Sequence, residues 1–221
     1  MSSDSHVAAH GAEPAFRQHH FVNAEQQFDT SKLGMWLFLA TEILMFGGLF
    51  VGYGLMQSVY PEAWIAGHHH LDRIMGAINT VFLLCSSFTM VMAVHSASTS
   101  NKGKTIVNLL LTLGFAAGFL VIKYFEYSHK FHDGLLPGRF FHYHGGGPAQ
   151  QAMFFGFYFC MTGLHGIHVV IGMILISWIT LRTMKGEFSS EYYTPVDLVG
   201  LYWHLVDLIW IYLFPLLYLV S

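Results

Sequence analysis

The sequence predicts an all-α integral membrane protein, a bundle of five transmembrane helices, and two observations lead to this class. Apolar residue types make up 54% of the 221 residues, charged types make up 10%, and the mean hydropathy is +0.48. A soluble domain normally carries about 25% charged residues. The apolar residues gather in five runs, each long enough for the roughly 20 residues that a spanning helix needs, and none alternates as a strand does.

The N-terminal segment and the five spans divide the chain into a tail and a membrane domain. Residues 1–32 form a polar tail without the apolar stretch of about 7–15 residues that a cleavable signal peptide needs. This tail is expected to stay in the cytoplasm. Residues 33–221 form the transmembrane domain, with spans at about 33–56, 73–96, 105–127, 151–181 and 197–219. The fourth span is longer than a bilayer requires, so it should tilt or protrude.

The distribution of lysine and arginine favours an N-terminus inside and a C-terminus outside. With this orientation, six of these residues lie on inner segments and four on outer segments. The outer loops are then 57–72, with His68 to His70, and 128–150, with His142 and His144. A surface metal site is one interpretation of these loop histidines, and a solvated loop is the preferred one.

The net charge argues against a nucleic-acid partner, and the positions of the two cysteines argue against a disulfide or a metal pair. The formal net charge is −3 and the chain has no basic run, so no nucleic-acid partner is expected. Cys85 and Cys160 lie inside apolar runs, where they are interpreted as packing residues rather than a disulfide or a metal pair.

Ionisable side chains within the spans are the candidate functional residues, because at membrane depth they cost several kcal/mol unless they are paired. They are Glu42, His165, His168, His204 and Asp207. A rise of about 1.5 Å per residue places Glu42, His168 and His204 at similar depth on three helices. We therefore predict a Glu–His cluster inside the bundle, in which Asp207 orients His204 across one helical turn.

Three interpretations of the membrane histidines remain open: structural polar contacts, which are preferred, a part in proton or lipid handling, and metal ligation. An isolated H-x-x-H is a weak metal signal, so no metal site and no catalytic residue are assigned. Arg182, at the inner mouth of the fourth span, is a candidate for binding a lipid phosphate. Simple positive-inside anchoring explains Arg182 equally well.

Each span also contains a polar motif, and the five motifs together resemble one family. They are Glu42 in LATEILMF; Asn79 and Thr80 followed by Ser86 and Ser87; Glu126 and Tyr127; Thr162, Gly163, His165 and His168; and Trp203, His204, Asp207 and Trp210. In this order and spacing they resemble subunit III of the heme–copper oxidases, the cytochrome c and quinol oxidases, over about residues 28–219. The chain is similar to the short five-helix bacterial form and lacks the first two helices of the longer form.

The resemblance implies a non-catalytic subunit of a proton-pumping terminal oxidase of the cytochrome c oxidase type, in the bacterial plasma membrane and in aerobic electron transport. This chain would bind no cofactor itself, because subunits I and II hold the heme and copper. It would stabilise subunit I, bind structural phospholipid and support proton uptake. Subunit I would be its main contact, with subunit II, a small subunit IV and a respiratory supercomplex as further partners.

Two kinds of alternative remain open. Subunit III of a quinol oxidase and the homologous accessory subunit of a nitric oxide reductase share the same motifs. An independent proton-coupled transporter, built on the membrane glutamate and histidines, belongs to another class. The chain shows no internal repeat of the kind that marks many transporters, which disfavours this last alternative.

Overall fold

The computed structural model describes residue 21, residues 23–136 and residues 150–219, which form six α-helices followed by one π-helical turn. The elements are α1 (Ala24–Val59), α2 (Pro61–His68), α3 (Arg73–Ser98), α4 (Lys102–His132), α5 (Gln151–Lys185), α6 (Thr194–Phe214) and the turn Pro215–Leu219. All of these helices except α2 are long and apolar enough to cross a membrane. The predicted all-α class with five spans is confirmed.

Local sequence signals set where the helices begin and end. Asn23, Asp72 and Asn101 each accept a backbone N–H bond as the N-cap of α1, α3 and α4, respectively. Pro61 begins α2, at a position where a missing N–H costs nothing. Gly186 ends α5 with a φ of 80°, in the left-handed region that favours glycine.

Among the described residues, three helical segments of five residues or more lie outside the predicted spans. α1 begins at Ala24, so residues 24–32 of the predicted tail are helical, because the Asn23 cap starts the helix before the apolar run begins. α2 occupies part of the predicted loop 57–72 and buries Trp64. α4 continues past residue 127 to His132. Residues 1–20 of the predicted tail lie outside the described residues, so the tail itself stays a prediction.

Helix α6 occupies the centre of the bundle, packed against α1, α3 and α5, and α1 lies at the edge. Two fully buried tryptophans of α6 hydrogen-bond to hydroxyl groups of α3. Trp203 Nε1 donates to Ser86 Oγ at 3.0 Å, and Trp210 Nε1 donates to Thr80 Oγ1 at 3.1 Å. These bonds satisfy both indole N–H groups and join the two helices.

The π-helical turn is held by side chains from α1 and α2. Pro215 has no N–H group, so the regular hydrogen-bond ladder is interrupted there. His68 Nδ1–H donates to Leu217 O at 2.6 Å, and Tyr53 Oη donates to Leu216 O at 3.3 Å and lies 3.2 Å from His68 Nε2. Burial lowers the pKa of His68, which favours the neutral imidazole. The predicted solvated loop is therefore wrong for His68, which is buried.

Helix α5 approaches α6 closely at Gly172. A Cβ atom at this position would lie 2.6 Å from the ring of Trp203, closer than real contacts allow. Gly166, on the same helix, has nothing within 4 Å of the equivalent position. Only Gly172 of these two is therefore required for close helix packing.

We expect Gly172→Ala to destabilise the protein by about 1–3 kcal/mol, because the added methyl group displaces the Trp203 indole. Gly166→Ala is the matched control and should be neutral or slightly stabilising, since alanine is the better helix former. Thermal unfolding of the detergent-solubilised protein measures both changes. Equal shifts in the unfolding midpoint of the two variants would contradict the prediction.

Candidate functional site

Glu42 on α1 and His168 on α5 form a hydrogen-bonded pair. Glu42 Oε2 lies 3.0 Å from His168 Nε2, and His168 Nδ1 lies 2.8 Å from Leu164 O. A carbonyl oxygen can only accept, so Nδ1 carries a proton. The contact between Nε2 and Oε2 then requires one more proton, which either the imidazole or the carboxyl group carries. The pair is therefore joined by a single hydrogen bond between α1 and α5, in which one of the two groups donates the proton.

This pair lines a groove of about 540 Å³ between α1, α5 and α6. The groove extends towards the N-terminal ends of α1 and α6, where Gln27, Ser31 and Thr194 line it. Its remaining walls are mostly apolar. The side chains of Glu42 and His168 are 16% and 11% exposed, so the pair is accessible from the groove.

The predicted pair between His204 and Asp207 is not present. His204 Nδ1 instead lies 2.8 Å from Ser87 Oγ on α3. Both oxygens of the buried Asp207 carboxyl lack a hydrogen bond of standard geometry with any described residue, although Ser86 and Ser87 are close enough to interact with it. His204 and Asp207 lie one turn apart on α6 as predicted, but Ser87 of α3 is the better-placed hydrogen-bond partner for the His204 imidazole.

His165 and His168 have different surroundings although they are three residues apart. Residues at this spacing differ by about 60° around a helix, so they can face different neighbours. His165 is fully buried, with its ring centroid 5.6 Å from that of Phe119 on α4 and 5.3 Å from that of Trp210 on α6. Neither of its ring nitrogens has a hydrogen-bond partner among the described residues. The predicted single cluster is therefore divided among three helix interfaces.

A buried charged cluster near the C-terminal end of α4 was not predicted. It consists of Lys123, Glu126, Lys130, Tyr158 and Tyr218, and we call it the lysine–glutamate cluster. The Glu126 carboxylate accepts hydrogen bonds from Lys123 Nζ (2.8 Å), Tyr158 Oη (2.8 Å) and Tyr218 Oη (2.6 Å), and Lys130 Nζ lies 3.6 Å from it. All three charged side chains are less than 10% exposed.

The sequence does contain a signal for this cluster. Lys123, Glu126 and Lys130 follow the spacing i, i+3, i+7, which places them on one helix face. The predicted span ended at residue 127, which assigned Lys130 to a loop and Lys123 to the set of topology-determining charges. The partners Tyr158 and Tyr218 come from distant parts of the chain, and helix periodicity alone does not identify them.

The candidate lipid-binding residue Arg182 already has protein partners. Its Nε donates to Glu187, and its guanidinium lies 4.9 Å from the ring centroid of Trp178 and 5.3 Å from that of Phe188. Because an arginine has five N–H donors, the other guanidinium nitrogens have further capacity. A lipid phosphate at this position would bind through those nitrogens.

The remaining motif residues have packing surroundings. Thr162 Oγ1 donates to Tyr158 O at 2.6 Å and is also hydrogen-bonded with Tyr127 Oη. A Cβ atom at Gly163 would lie 4.0 Å from the Tyr127 hydroxyl, an ordinary van der Waals distance. Asn79 is fully buried, and its amide has no hydrogen-bond partner in the described part of the chain.

Metal ligation was the least favoured interpretation of the histidines. Among residues 23–136 and 150–219, no group of three or more His, Cys, Asp or Glu side chains is arranged to hold a metal ion. His68 faces the backbone of the π-helical turn. His142 and His144 lie outside the described residues.

Comparison with known proteins identifies the family. A family model described as cytochrome c oxidase subunit III matches residues 10–221. A cytochrome c oxidase subunit 3 from Thermostichus vulcanus is 31% identical over 204 residues, which cover 90% of this chain and 92% of the relative. A cytochrome bo(3) ubiquinol oxidase subunit 3 from Pseudomonas putida is 28% identical over 189 residues, covering 86% of this chain and 85% of the relative.

One relative combines two subunits in a single chain. A heme-copper oxidase subunit I+III from Aeropyrum pernix is 29% identical over 198 residues. The match covers 87% of this chain but only 23% of that longer relative. The resemblance stated from the five motifs is confirmed by the family match.

We expect Glu126→Gln to destabilise the protein by about 3–5 kcal/mol, because it removes the counter-charge of two buried lysines. Adding Lys123→Met should recover part of this loss, since it removes one of the stranded charges. Glu187→Gln, which breaks the partly exposed pair with Arg182, is the control and should cost less than about 1 kcal/mol. Chemical denaturation of the three variants in detergent compares these costs. A Glu126→Gln variant as stable as Glu187→Gln would contradict the assignment of an ionic cluster.

Proposed function

The chain belongs to the cytochrome c oxidase subunit III family, and from this premise we propose that it supports proton uptake and binds phospholipid beside the catalytic subunit of a terminal oxidase. As a heme–copper oxidase subunit III with five apolar helices, it is a multi-pass protein of a bacterial plasma membrane. It associates with subunit I, and the relative that joins subunits I and III in one chain agrees with this contact.

The proposed complex is a proton-pumping cytochrome c oxidase that reduces oxygen to water. Its heme and copper would reside in subunits I and II, with a small subunit IV and a respiratory supercomplex as further contacts. The Thermostichus vulcanus relative favours cytochrome c as the electron donor. The Pseudomonas putida relative, a ubiquinol oxidase subunit, keeps quinol as the alternative donor.

The hydrogen bond between Glu42 and His168 is the observation that carries the proposed role in proton uptake. The pair is accessible from a groove that extends to the end of the bundle predicted to face the cytoplasm. A proton that moves between an imidazole and a carboxyl group needs no backbone rearrangement. The pair can therefore accept and release a proton while it continues to join α1 to α5.

The same groove supports the proposed binding of phospholipid. Its apolar walls, including Phe38, Leu175 and Leu198, suit an acyl chain, and Gln27 and Ser31 suit a polar head group at its open end. Arg182 does not line the groove, but its guanidinium lies over the ring of Trp178, which does. The spare guanidinium nitrogens of Arg182 would hold a phosphate there by charge-assisted hydrogen bonds.

Purification of the affinity-tagged chain from its native membrane in mild detergent tests the assignment. We expect a heme-bearing subunit I to co-purify, and reduced-minus-oxidised spectra to show the heme and copper content of an oxidase. Spectra of a nitric oxide reductase would replace the oxidase assignment. A heme-free chain that transports protons by itself in liposomes would contradict the accessory role.

We expect Glu42→Gln to leave the complex assembled and to slow proton-linked turnover by less than the roughly 10²–10⁴-fold effect that is typical of a catalytic proton-transfer group. The amide still bonds His168 but cannot exchange a proton with it. Glu25→Gln, at an exposed acid on the same helix, is the control and should leave turnover unchanged. Oxygen consumption and proton release by the reconstituted complex measure the effect. Complete loss of oxygen reduction in an assembled complex would refute a non-catalytic role.

A further inference from the structure

A vestibule lies between α3 and α6, and it shares no lining residue with the groove beside Glu42. It has a volume of about 320 Å³, and its walls are mostly apolar. The lining residues that carry polar groups are His95 and Ser98 from α3, Asp197 and His204 from α6, and Tyr193. These residues lie near the C-terminal end of α3 and the N-terminal end of α6. Both helix ends are on the side of the bundle predicted to face the cytoplasm.

His204 connects this vestibule to the interior. Its imidazole lines the vestibule, and its Nδ1 is hydrogen-bonded with Ser87 Oγ at 2.8 Å. Nδ1 is the His204 nitrogen with a hydrogen-bond partner among the described residues, which leaves Nε2 available to the vestibule that the imidazole lines. An imidazole with one nitrogen facing solvent and the other bonded to a hydroxyl can accept a proton at the first and release one from the second.

Asp207 lies one helical turn beyond His204 on α6 and is not among the residues that line the vestibule. It is 3% exposed, and no described residue forms a hydrogen bond of standard geometry with its carboxyl oxygens. The hydroxyls of Ser86 and Ser87 are close enough to interact with it. A buried carboxyl group without a hydrogen bond or a counter-ion lowers stability, so packing alone does not explain its presence.

We propose that His204 and Ser87 form a proton relay from the vestibule to Asp207, which serves as a buried proton-accepting site. This proposal deepens the proposed role in proton uptake and rests on it. A proton from water binds His204 Nε2, and Nδ1–H passes its proton to Ser87 Oγ. The serine hydroxyl passes its own proton to the Asp207 carboxylate. Each intermediate group gains one proton and loses one, so one proton moves from water to Asp207.

Titratable groups from α1, α3 and α6 surround the start of this path. Asp197 lines the vestibule and forms an ion pair with Lys32 of α1 at 3.1 Å, and His95 of α3 lines the same space. Asp207 itself faces the Ser86 and Ser87 hydroxyls of α3. The ion pair and the two histidines thus lie at the vestibule, and the interior part of the path consists of the Ser87 hydroxyl and the Asp207 carboxyl group.

Infrared spectroscopy of the purified oxidase complex tests the relay. The carboxylic acid band of Asp207 is identified as the band that disappears in Asp207→Asn, and its shift in D₂O reports proton exchange with water. We expect a shift in the native complex and, in Ser87→Ala and His204→Gln, exchange slowed by at least about tenfold. His95→Gln is the matched control, because it changes the vestibule without interrupting the relay, and it should leave the rate unchanged.

Two results would overturn the relay. One is that no exchangeable carboxylic acid band is assigned to Asp207, and the other is that Ser87→Ala exchanges as fast as the native complex. Ser87→Ala removes a single oxygen atom, so it tests the path even where His204→Gln fails to fold. Retention of the heme spectrum and of the subunit I partner in such a variant would leave the proposed function standing while the relay fails. Loss of both from the native preparation would instead overturn the proposed function.

Discussion

Hydrogen bonds between side chains on different helices are the interaction on which this bundle depends. Lipid offers no partner to a buried N–H or hydroxyl group, so a hydrogen bond within its own helix or to a neighbouring helix stabilises such a group. Trp203 and Trp210 lie two turns apart on α6 and bond Ser86 and Thr80, in reverse order, on the antiparallel helix α3. Two bonds at this separation fix the rotation of α6 about its axis. That rotation then determines that His204 faces Ser87.

The fold could be predicted because a spanning helix is recognised by its mean hydropathy over about 20 residues, and a few polar residues change that mean very little. The boundaries could not, because they depend on local contacts. Residues 24–32 are helical because Asn23 caps them, and hydropathy does not register a cap. α2 has eight residues, too short for a spanning pattern, and it is held by burial of Trp64 and by the bond from His68 to Leu217.

Within the candidate site, the polar residues could be identified from the sequence, but most of their partners could not. Depth along the helices brought Glu42 and His168 together, since both positions follow from helical rise. The partner of His204 depended on which neighbouring helix supplied a hydroxyl, and spacing within α6 indicated Asp207 instead of Ser87. The lysine–glutamate cluster needed the contact of α4 with the π-helical turn, which no local pattern contains.

The lysine–glutamate cluster shows how the interior accommodates an excess of positive charge. Two lysines face one carboxylate, and cation–π contacts with aromatic rings help to stabilise the two ammonium groups. Lys123 Nζ lies 4.6 Å from the ring centroid of Trp210, and Lys130 Nζ lies 5.2 Å from that of Tyr158. Trp210 therefore serves two interfaces, because its N–H group bonds α3 while its ring faces the ammonium of α4. A change that rotates α6 would disturb the cluster and the proposed relay together. The hydrogen bond between Glu42 and His168 joins α1 to α5 and includes no group of α6. Helix α6 contacts the pair through the Tyr202 hydroxyl, which donates to the backbone oxygen of His168 at 3.1 Å. The proton between Glu42 and His168 is therefore less sensitive to a rotation of α6.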